Sequence, residues 1–339
     1  MNRKVLAVAT ILLLSVASVF ANGQAEVAGA DKPKEVVILC KSMGNGFFDA
    51  VFNGSEEAAA EIGNINTTFM APTQATAEGQ IEIIESLISQ HVDGIAISAN
   101  DSDALIPVCK KAMKAGVQVI SFDSGINVGG RTYDLLPSNA ELIGRQQYQL
   151  ASELAGNKGD VAVLSASAQA TNQNLWIHWM QEEAKDPKYS NMKLVEVVYG
   201  DDAPDKSYRE ATSLMKKYPN LKCIICPTTV GLLATAQAIK DSGMAGKVQV
   251  TGLGLPSEMK GYIVDGTCKK MALWNPIDLG YTSTYLLSSL IEGKTDGASG
   301  EVIPAGRMGD MTVMDDGIIY MGTPYVFTKE NIEQYAAIF

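Results

Sequence analysis

The stretch SASAQATNQNLW, from Ser165 to Trp176, places amides and hydroxyls where an apolar run gives way to a helical pattern. Such groups donate and accept hydrogen bonds without carrying a charge. A phosphate site would have glycines and a lysine here, and a protease would have a nucleophile beside a base. Small polar residues also build ordinary turns. The chemistry of this stretch therefore depends on the residues that the fold brings beside it.

Few residues of the chain could support metal or nucleophilic chemistry. The two histidines, His91 and His178, have no partner at ligand spacing. The CIIC stretch from Cys223 to Cys226 has the spacing of a redox or zinc motif. It lies in an apolar, β-branched run that predicts a strand, where residues three apart point to opposite faces. We interpret these cysteines as buried thiols. No dinucleotide fingerprint, Walker sequence or GxSxG motif is present, so we expect no cofactor, no metal and no catalytic residues.

The beginning of the chain has the pattern of an export signal. Arg3 and Lys4 precede an apolar run, Val5 to Phe20, which is short for a bilayer span. We expect a signal peptide cleaved after Ala21, then a flexible segment over 22–33, and a periplasmic location. The net charge of −11 becomes more negative without the two cations, which argues against nucleic acid or an anionic membrane as partner.

Strand and helix patterns alternate along the rest of the chain. Apolar runs such as EVVILC, GIAISAN and DVAVLSAS are each followed by a helical pattern. This alternation predicts an α/β fold with parallel sheets that are covered on both faces. Roughly ten strands are many for one open sheet. Because the pattern restarts after YDLLPSNAE, we favour two Rossmann-like lobes over a barrel.

Parallel sheets bind ligands outside the carboxyl ends of their strands. The candidate ligand-binding residues at and beside those ends are Lys41, Phe47, Phe48, Asp123, Asn172, Gln173, Pro227, Thr228, Thr229, Trp274 and Asn275. Carboxylates and amides bond to vicinal hydroxyls, and aromatic faces cover the apolar side of a sugar ring. The sequence therefore predicts a polyol pocket with the amide-rich stretch as one wall.

Simpler roles remain open for some of these residues. Asp123 could cap a turn, and Lys41 could be solvated. Trp176 lies on a predicted helix, where tryptophan is more often part of the core. The acidic residues of 201–205 are typical of a loop and a helix cap.

The strand-end motifs resemble the substrate-binding proteins of bacterial sugar ABC transporters, of the type I periplasmic class, over nearly the whole chain after the signal. The motifs are GxGFF at 44–48, SFDSG at 121–125, TNQNLW at 171–176, CPTTVG at 226–231, TGLGLPSEMKGYIVDGT at 251–267 and ALWNPIDLGY at 272–281. Within that class the chain is most similar to the rhamnose-binding proteins, and next to the autoinducer-2-binding proteins.

The autoinducer-2 group implies roles for individual positions. Its ligand-contacting residues fall on Lys41, Asp123, Gln173 and Pro227. Two positions depart from the group, because Asn172 replaces an aspartate and Thr229 replaces an alanine. An amide both donates and accepts, and burying it costs less than burying a carboxylate. We therefore expect a neutral deoxyhexose such as rhamnose to bind better than autoinducer-2, with other pentoses and hexoses as alternatives.

The resemblance implies two lobes that close on the ligand, with three chain crossings between them. We expect one lobe from 34–137 with 277–305 and the other from 138–276 with 306–339. The crossings would lie near 137–138, near 275–276 and near 301–305. The implied partners are a sugar and the permease of an ABC transporter. A chemoreceptor or sensor could also read the loaded form, and we expect a monomer.

A secreted sugar-modifying enzyme is the rival from another class. A glycosidase needs two carboxylates in the pocket, and Asp123 is the carboxylate with a clear strand-end position. A sugar-responsive repressor shares the expected fold, but the export signal contradicts that role.

Overall fold

The computed structural model describes residues 32–339 of the chain. The expected signal peptide and most of the segment after it lie outside the described residues. Lys34–Phe339 form one unit. Within this part of the chain, no helix is both long enough and apolar enough to cross a membrane.

Strands and helices alternate from the first strand to the ninth helix, except between the fourth and fifth strands. The strands are β1 (Lys34–Leu39), β2 (Ile65–Met70), β3 (Gly94–Ile97), β4 (Gln118–Phe122), β5 (Asp134–Leu136), β6 (Gly159–Ser165), β7 (Met192–Tyr199), β8 (Leu221–Cys226), β9 (Gln249–Gly252), β10 (Met271–Leu273), β11 (Val302–Pro304), β12 (Asp310–Thr312), β13 (Ile318–Tyr320) and β14 (Tyr325–Phe327). The helices are α1 (Gly46–Ile62), α2 (Ala77–Gln90), α3 (Ile106–Lys114), α4 (Ala140–Ala155), α5 (Thr171–Glu183), α6 (Pro204–Lys217), α7 (Thr229–Asp241), α8 (Pro256–Val264), α9 (Pro276–Ile291) and α10 (Ile332–Tyr335).

The first sheet has six parallel strands in the order β13-β5-β4-β3-β1-β2. Helices α1 and α9 pack against each other, and α9 also contacts β3 and β4; α2 and α3 pack as a second pair. The central strand β3, with the sequence GIAI, is fully buried. Coverage on both faces explains why this strand is apolar throughout rather than alternating.

The second sheet has four parallel strands in the order β7-β6-β8-β9. Helix α4 packs on β8 and β9, while α6 and α7 pack against each other. Strand β10 pairs antiparallel with β14 and is bridged to the end of β9 through Leu253 and Ala272. The α/β fold with two lobes built on parallel sheets is confirmed.

The chain passes three times between the two sheets: after β5, after β10 and after β13. The last passage differs from the expectation that 306–339 belongs to the second lobe. Strand β13 pairs with β5 in the first sheet, and β14 pairs with β10, so the last passage lies between Tyr320 and Tyr325 rather than near 301–305. Strand β13 joins the first sheet as its edge strand because this pairing buries an apolar side chain, that of Ile319, completely.

A buried carboxylate fixes helix α5, whose first turn carries Asn172 and Gln173. Glu183 ends this helix and is 5% exposed. Its oxygens accept hydrogen bonds from Gln149, Tyr189 and Arg145 and form an ion pair with Lys188. Burial alone would raise the pKa of Glu183, but these donors outweigh it and lower the pKa from 4.5 to about 2.

All five cysteines are buried and free within the described residues. Cys223 and Cys226 lie on β8 as the apolar run predicts, and the Cys226 thiol donates to the Thr235 hydroxyl at 3.4 Å. Burial raises the pKa of the Cys226 thiol to about 12. In the part of the chain that the structure describes, no group of three or more His, Cys, Asp or Glu is arranged to hold a metal.

Candidate functional site

A cavity with an empty volume of about 380 Å³, its mouth included, is lined by residues at and beyond the strand ends of both sheets. Its lining residues are Lys41, Asn45, Phe47, Phe48, Asp123, Asn172, Gln173, Trp176, Asp202, Pro227, Thr228, Thr229, Leu253, Leu273 and Trp274. All the residues that the sequence predicted for the pocket are among them, except Asn275.

Asn275 is not among the residues that line this cavity. Asn275 is the N-cap of α9, where its Oδ1 accepts from the Ile277 amide at 3.0 Å and its Nδ2 donates to Asp278 at 2.7 Å. Both ends of the side chain are therefore engaged at the start of the helix.

The cavity contains polar residues that the sequence interpretation did not select. Asp202 follows β7, and its carboxylate accepts a hydrogen bond from the Thr228 hydroxyl. Asn45 is the N-cap of α1, and its Oδ1 accepts from the Phe47 amide at 3.0 Å. Asp202 satisfies the same strand-end rule that located Asp123, so the signal for it was present in the sequence.

Two hydrogen bonds join the lobes across the cavity. The Lys41 ammonium, which follows β1, donates to Asn172 Oδ1 at 3.0 Å in the second lobe. The Thr229 hydroxyl, at the start of α7, donates to Asn45 Oδ1 at 3.2 Å in the first lobe. Polar side chains of both lobes therefore meet directly in the cavity.

Two charged groups of the cavity, Lys41 and Asp123, are deeply buried. Asp123 is 6% exposed, and its Oδ2 accepts from the Ser98 hydroxyl at 2.8 Å. Burial raises its pKa, and this outweighs the lowering by the Lys41 ammonium and the Ser98 hydroxyl. Burial also lowers the pKa of Lys41, against the opposing effect of Asp123 and Asp202. Buried charges of this kind need partners, and a ligand rich in hydroxyl groups can supply them.

Gln173 is held so that one end of its amide is engaged by the protein. Its Oε1 accepts from the Ser165 hydroxyl at 2.6 Å and from the Ala166 amide at 2.8 Å. The amide nitrogen is thereby left as the group that can donate to a ligand.

An aromatic wall runs from one lobe to the other. The Phe47 ring lies edge-on to Phe48 at 5.2 Å and to Trp274 at 6.1 Å, and Trp274 lies 5.8 Å from Trp176. Trp176 was expected in the core, and at 4% exposure it both packs there and lines the cavity.

The indole nitrogen of Trp274 is buried and has no hydrogen-bond partner among the described residues. Leaving such a donor unpaired costs about 1–3 kcal/mol, so an acceptor on a ligand would remove this cost. The wall thus offers both an apolar face and a donor.

Two lobes with parallel sheets, linked by three chain passages and meeting at a polar cavity, define a class of hinged ligand-binding proteins. The model of the periplasmic binding protein domain matches residues 36–295, and the chain belongs to this family.

Known relatives cover most of the chain. A D-allose-binding periplasmic protein of Escherichia coli is 25% identical over 293 residues, which are 84% of this chain and 91% of the relative. A solved ABC transporter solute-binding protein from Clostridium phytofermentas, with bound L-rhamnose, is 38% identical with a TM-score of 0.86 and covers 91% of this chain and 99% of its own. LsrB from Clostridium saccharobutylicum, in complex with AI-2, has a TM-score of 0.84 at 23% identity, covers 89% of this chain and 99% of its own, and shows the fold alone.

Proposed function

We propose that this protein captures a neutral monosaccharide between its lobes and delivers it to the permease of an ABC transporter. L-rhamnose is the ligand that we propose it prefers. The observation that carries the proposal is the cavity itself. Lys41, Asp123 and the Gln173 amide supply donors and acceptors from both lobes, beside an aromatic wall with the unpaired Trp274 N–H. This combination matches a ring with hydroxyl groups at its edge and C–H groups on its face.

The residue at position 172 favours rhamnose over autoinducer-2. The Oδ1 atom of Asn172 accepts from Lys41, so its NH₂ group is left to donate to a ring hydroxyl. A carboxylate at this position could only accept. The relative that was solved with bound L-rhamnose, at 38% identity, supports the same choice.

Binding by lobe closure requires no chemical step. A ligand that contacts both lobes stabilises their closed arrangement, which is the form the permease would read. Asp202 gives the cavity a second carboxylate, which a sugar-modifying enzyme would use, but Thr228 engages it and the related proteins above are named as binding proteins. We expect a monomer that is exported to the periplasm, where a chemoreceptor could also read the loaded form.

Calorimetry on the chain from residue 22 onward tests the proposal. The panel is L-rhamnose, L-fucose, D-ribose, D-xylose, D-galactose, D-allose and autoinducer-2. We expect L-rhamnose to bind at least tenfold more tightly than autoinducer-2, a difference of about 1.4 kcal/mol. Absence of binding to every sugar, a tenfold preference for autoinducer-2, or product formed from a bound sugar would each contradict it.

A further inference from the structure

A second cavity adjoins the first between the lobes. It has an empty volume of about 860 Å³, its mouth included, against about 380 Å³ for the first. Asp123, Asn172 and Trp176 line both cavities, so the two cavities meet at these three residues. The second cavity lies at the first chain passage, where it is lined by Ser138 and Ala140.

An unpaired hydroxyl lies in the wall of the second cavity. Ser138 is 2% exposed, and its Oγ has no hydrogen-bond partner among the described residues. Buried hydroxyls are normally paired, and a hydroxyl group of a ligand would supply the missing partner. The Arg131 side chain also lines this cavity; it is 5% exposed, and its guanidinium lies 3.6 Å from the Asp134 carboxylate. Its Nε donates to the Ile126 carbonyl at 2.8 Å, which holds the guanidinium in place.

Apolar side chains also line the second cavity. Leu136, Ile143 and Trp176 contribute side chains to it. At its edge, Val128 from the first lobe is 61% exposed and Leu175 from the second is 47% exposed. These two side chains leave apolar surface on both lobes at the cavity, against which the C–H face of a sugar ring could pack.

The charges of the second cavity disfavour an anionic occupant. Three residues with carboxylates, Asp123, Asp134 and Asp316, and one with a guanidinium, Arg131, line this cavity. A phosphate or a uronate would meet net negative charge here. A neutral ring with hydroxyl edges and C–H faces fits both the apolar lining and the hydrogen-bonding groups.

We propose that the second cavity is a subsite for a second sugar ring, so that the ligands of this protein include neutral rhamnose disaccharides. The inference rests on the proposed function, because it requires the first ring in the first cavity. Trp176 contacts both rings, and Ser138 and Arg131 bind hydroxyl groups of the second ring.

Calorimetry with L-rhamnose and a panel of rhamnose disaccharides that differ in linkage position tests the subsite. Ala140→Trp fills the second cavity from the first residue of α4 and leaves the lining of the first unchanged. Ala77→Trp is the matched control, because Ala77 is likewise the first, partly buried residue of a helix but lines neither cavity. We expect Ala140→Trp to raise the Kd of the best disaccharide at least tenfold and to leave that of L-rhamnose within twofold, while Ala77→Trp changes neither.

The outcomes separate the two proposals. If the parent binds L-rhamnose but no disaccharide, or if Ala140→Trp weakens both ligands equally, the subsite is refuted and the proposed function stands. If the parent binds neither ligand, both proposals are refuted. Should Ala140→Trp fail to fold, Ser138→Ala serves instead, with an expected loss of at least threefold for the disaccharide alone; an unchanged disaccharide Kd would then refute the subsite.

Discussion

Replacing Asp123 with alanine should weaken sugar binding because the cavity loses its acceptor beside Lys41. Hydrogen bonds to a charged group contribute about 1.5–3 kcal/mol, which corresponds to a Kd increase of about ten- to 150-fold. Asp123 is 6% exposed, and Ser98 donates a hydrogen bond to one of its carboxylate oxygens. Because the site is buried, water cannot readily take the place of the lost carboxylate as acceptor for the sugar in the alanine variant. Calorimetry with L-rhamnose measures the change directly.

The backbone at this position calls for a matched control. Asp123 has a φ of 58°, a left-handed conformation that aspartate tolerates better than alanine, so Asp123→Ala also costs about 1 kcal/mol of folding stability. Asp201 has a φ of 54°, but it is exposed and pairs with Lys206. Asp201→Ala therefore carries the same backbone cost without changing the cavity, and should bind L-rhamnose like the parent. The reasoning fails if folded Asp123→Ala binds within twofold of Asp201→Ala.

Three further substitutions test the assignments made above. Asn172→Asp should lower the preference for L-rhamnose over autoinducer-2 at least fivefold, because the carboxylate accepts from Lys41 but cannot donate; calorimetry giving an unchanged ratio of the two Kd values would contradict this. Glu183 has a folded-state pKa of about 2 against an ordinary 4.5, so it contributes up to about 3 kcal/mol of stability that is present above pH 4.5 and is lost as the pH falls towards 2. Urea unfolding at a series of pH values measures the free energy of unfolding, which should fall less steeply below pH 4.5 in Glu183→Gln than in the parent. An equal fall in the two proteins would refute the assignment. Asn275→Ala should cost about 1 kcal/mol of stability through loss of the helix cap while sugar affinity stays within twofold, and a larger loss of affinity would return Asn275 to the site.

The fold was predictable from the sequence because it follows from local patterns repeated many times. Apolar runs followed by helical patterns indicate parallel sheets, and a restart in the pattern indicates a second lobe. The division of IIYMGTPYVF between the sheets was not predictable in this way. Strand β13 pairs with β5 and strand β14 with β10, so neighbouring residues take partners that lie far apart in the sequence. No local sequence pattern distinguishes the β13 segment from the β14 segment.

The site was predictable to the extent that it follows the ends of strands. Asp123 directly follows β4 and Lys41 lies two residues beyond β1, and their positions follow from that rule. The place of Asp202 also depends on two consecutive left-handed residues after β7, which the sequence shows merely as a polar loop. Asn275 illustrates the opposite case, since Asn-Pro-Ile-Asp is a recognisable helix-start signature that identifies it as a cap.

The buried thiols have a practical consequence for measuring sugar capture in solution. All five cysteines are 0% exposed, and burial raises the pKa of each thiol, so the reactive thiolate is both scarce and inaccessible at neutral pH. A cysteine introduced at Leu175, which is 47% exposed at the rim between the lobes, should therefore be labelled selectively by a maleimide dye in the otherwise unaltered chain. Emission from such a dye would report the approach of the opposite lobe, which turns the protein into a fluorescent sugar sensor without removal of any native cysteine.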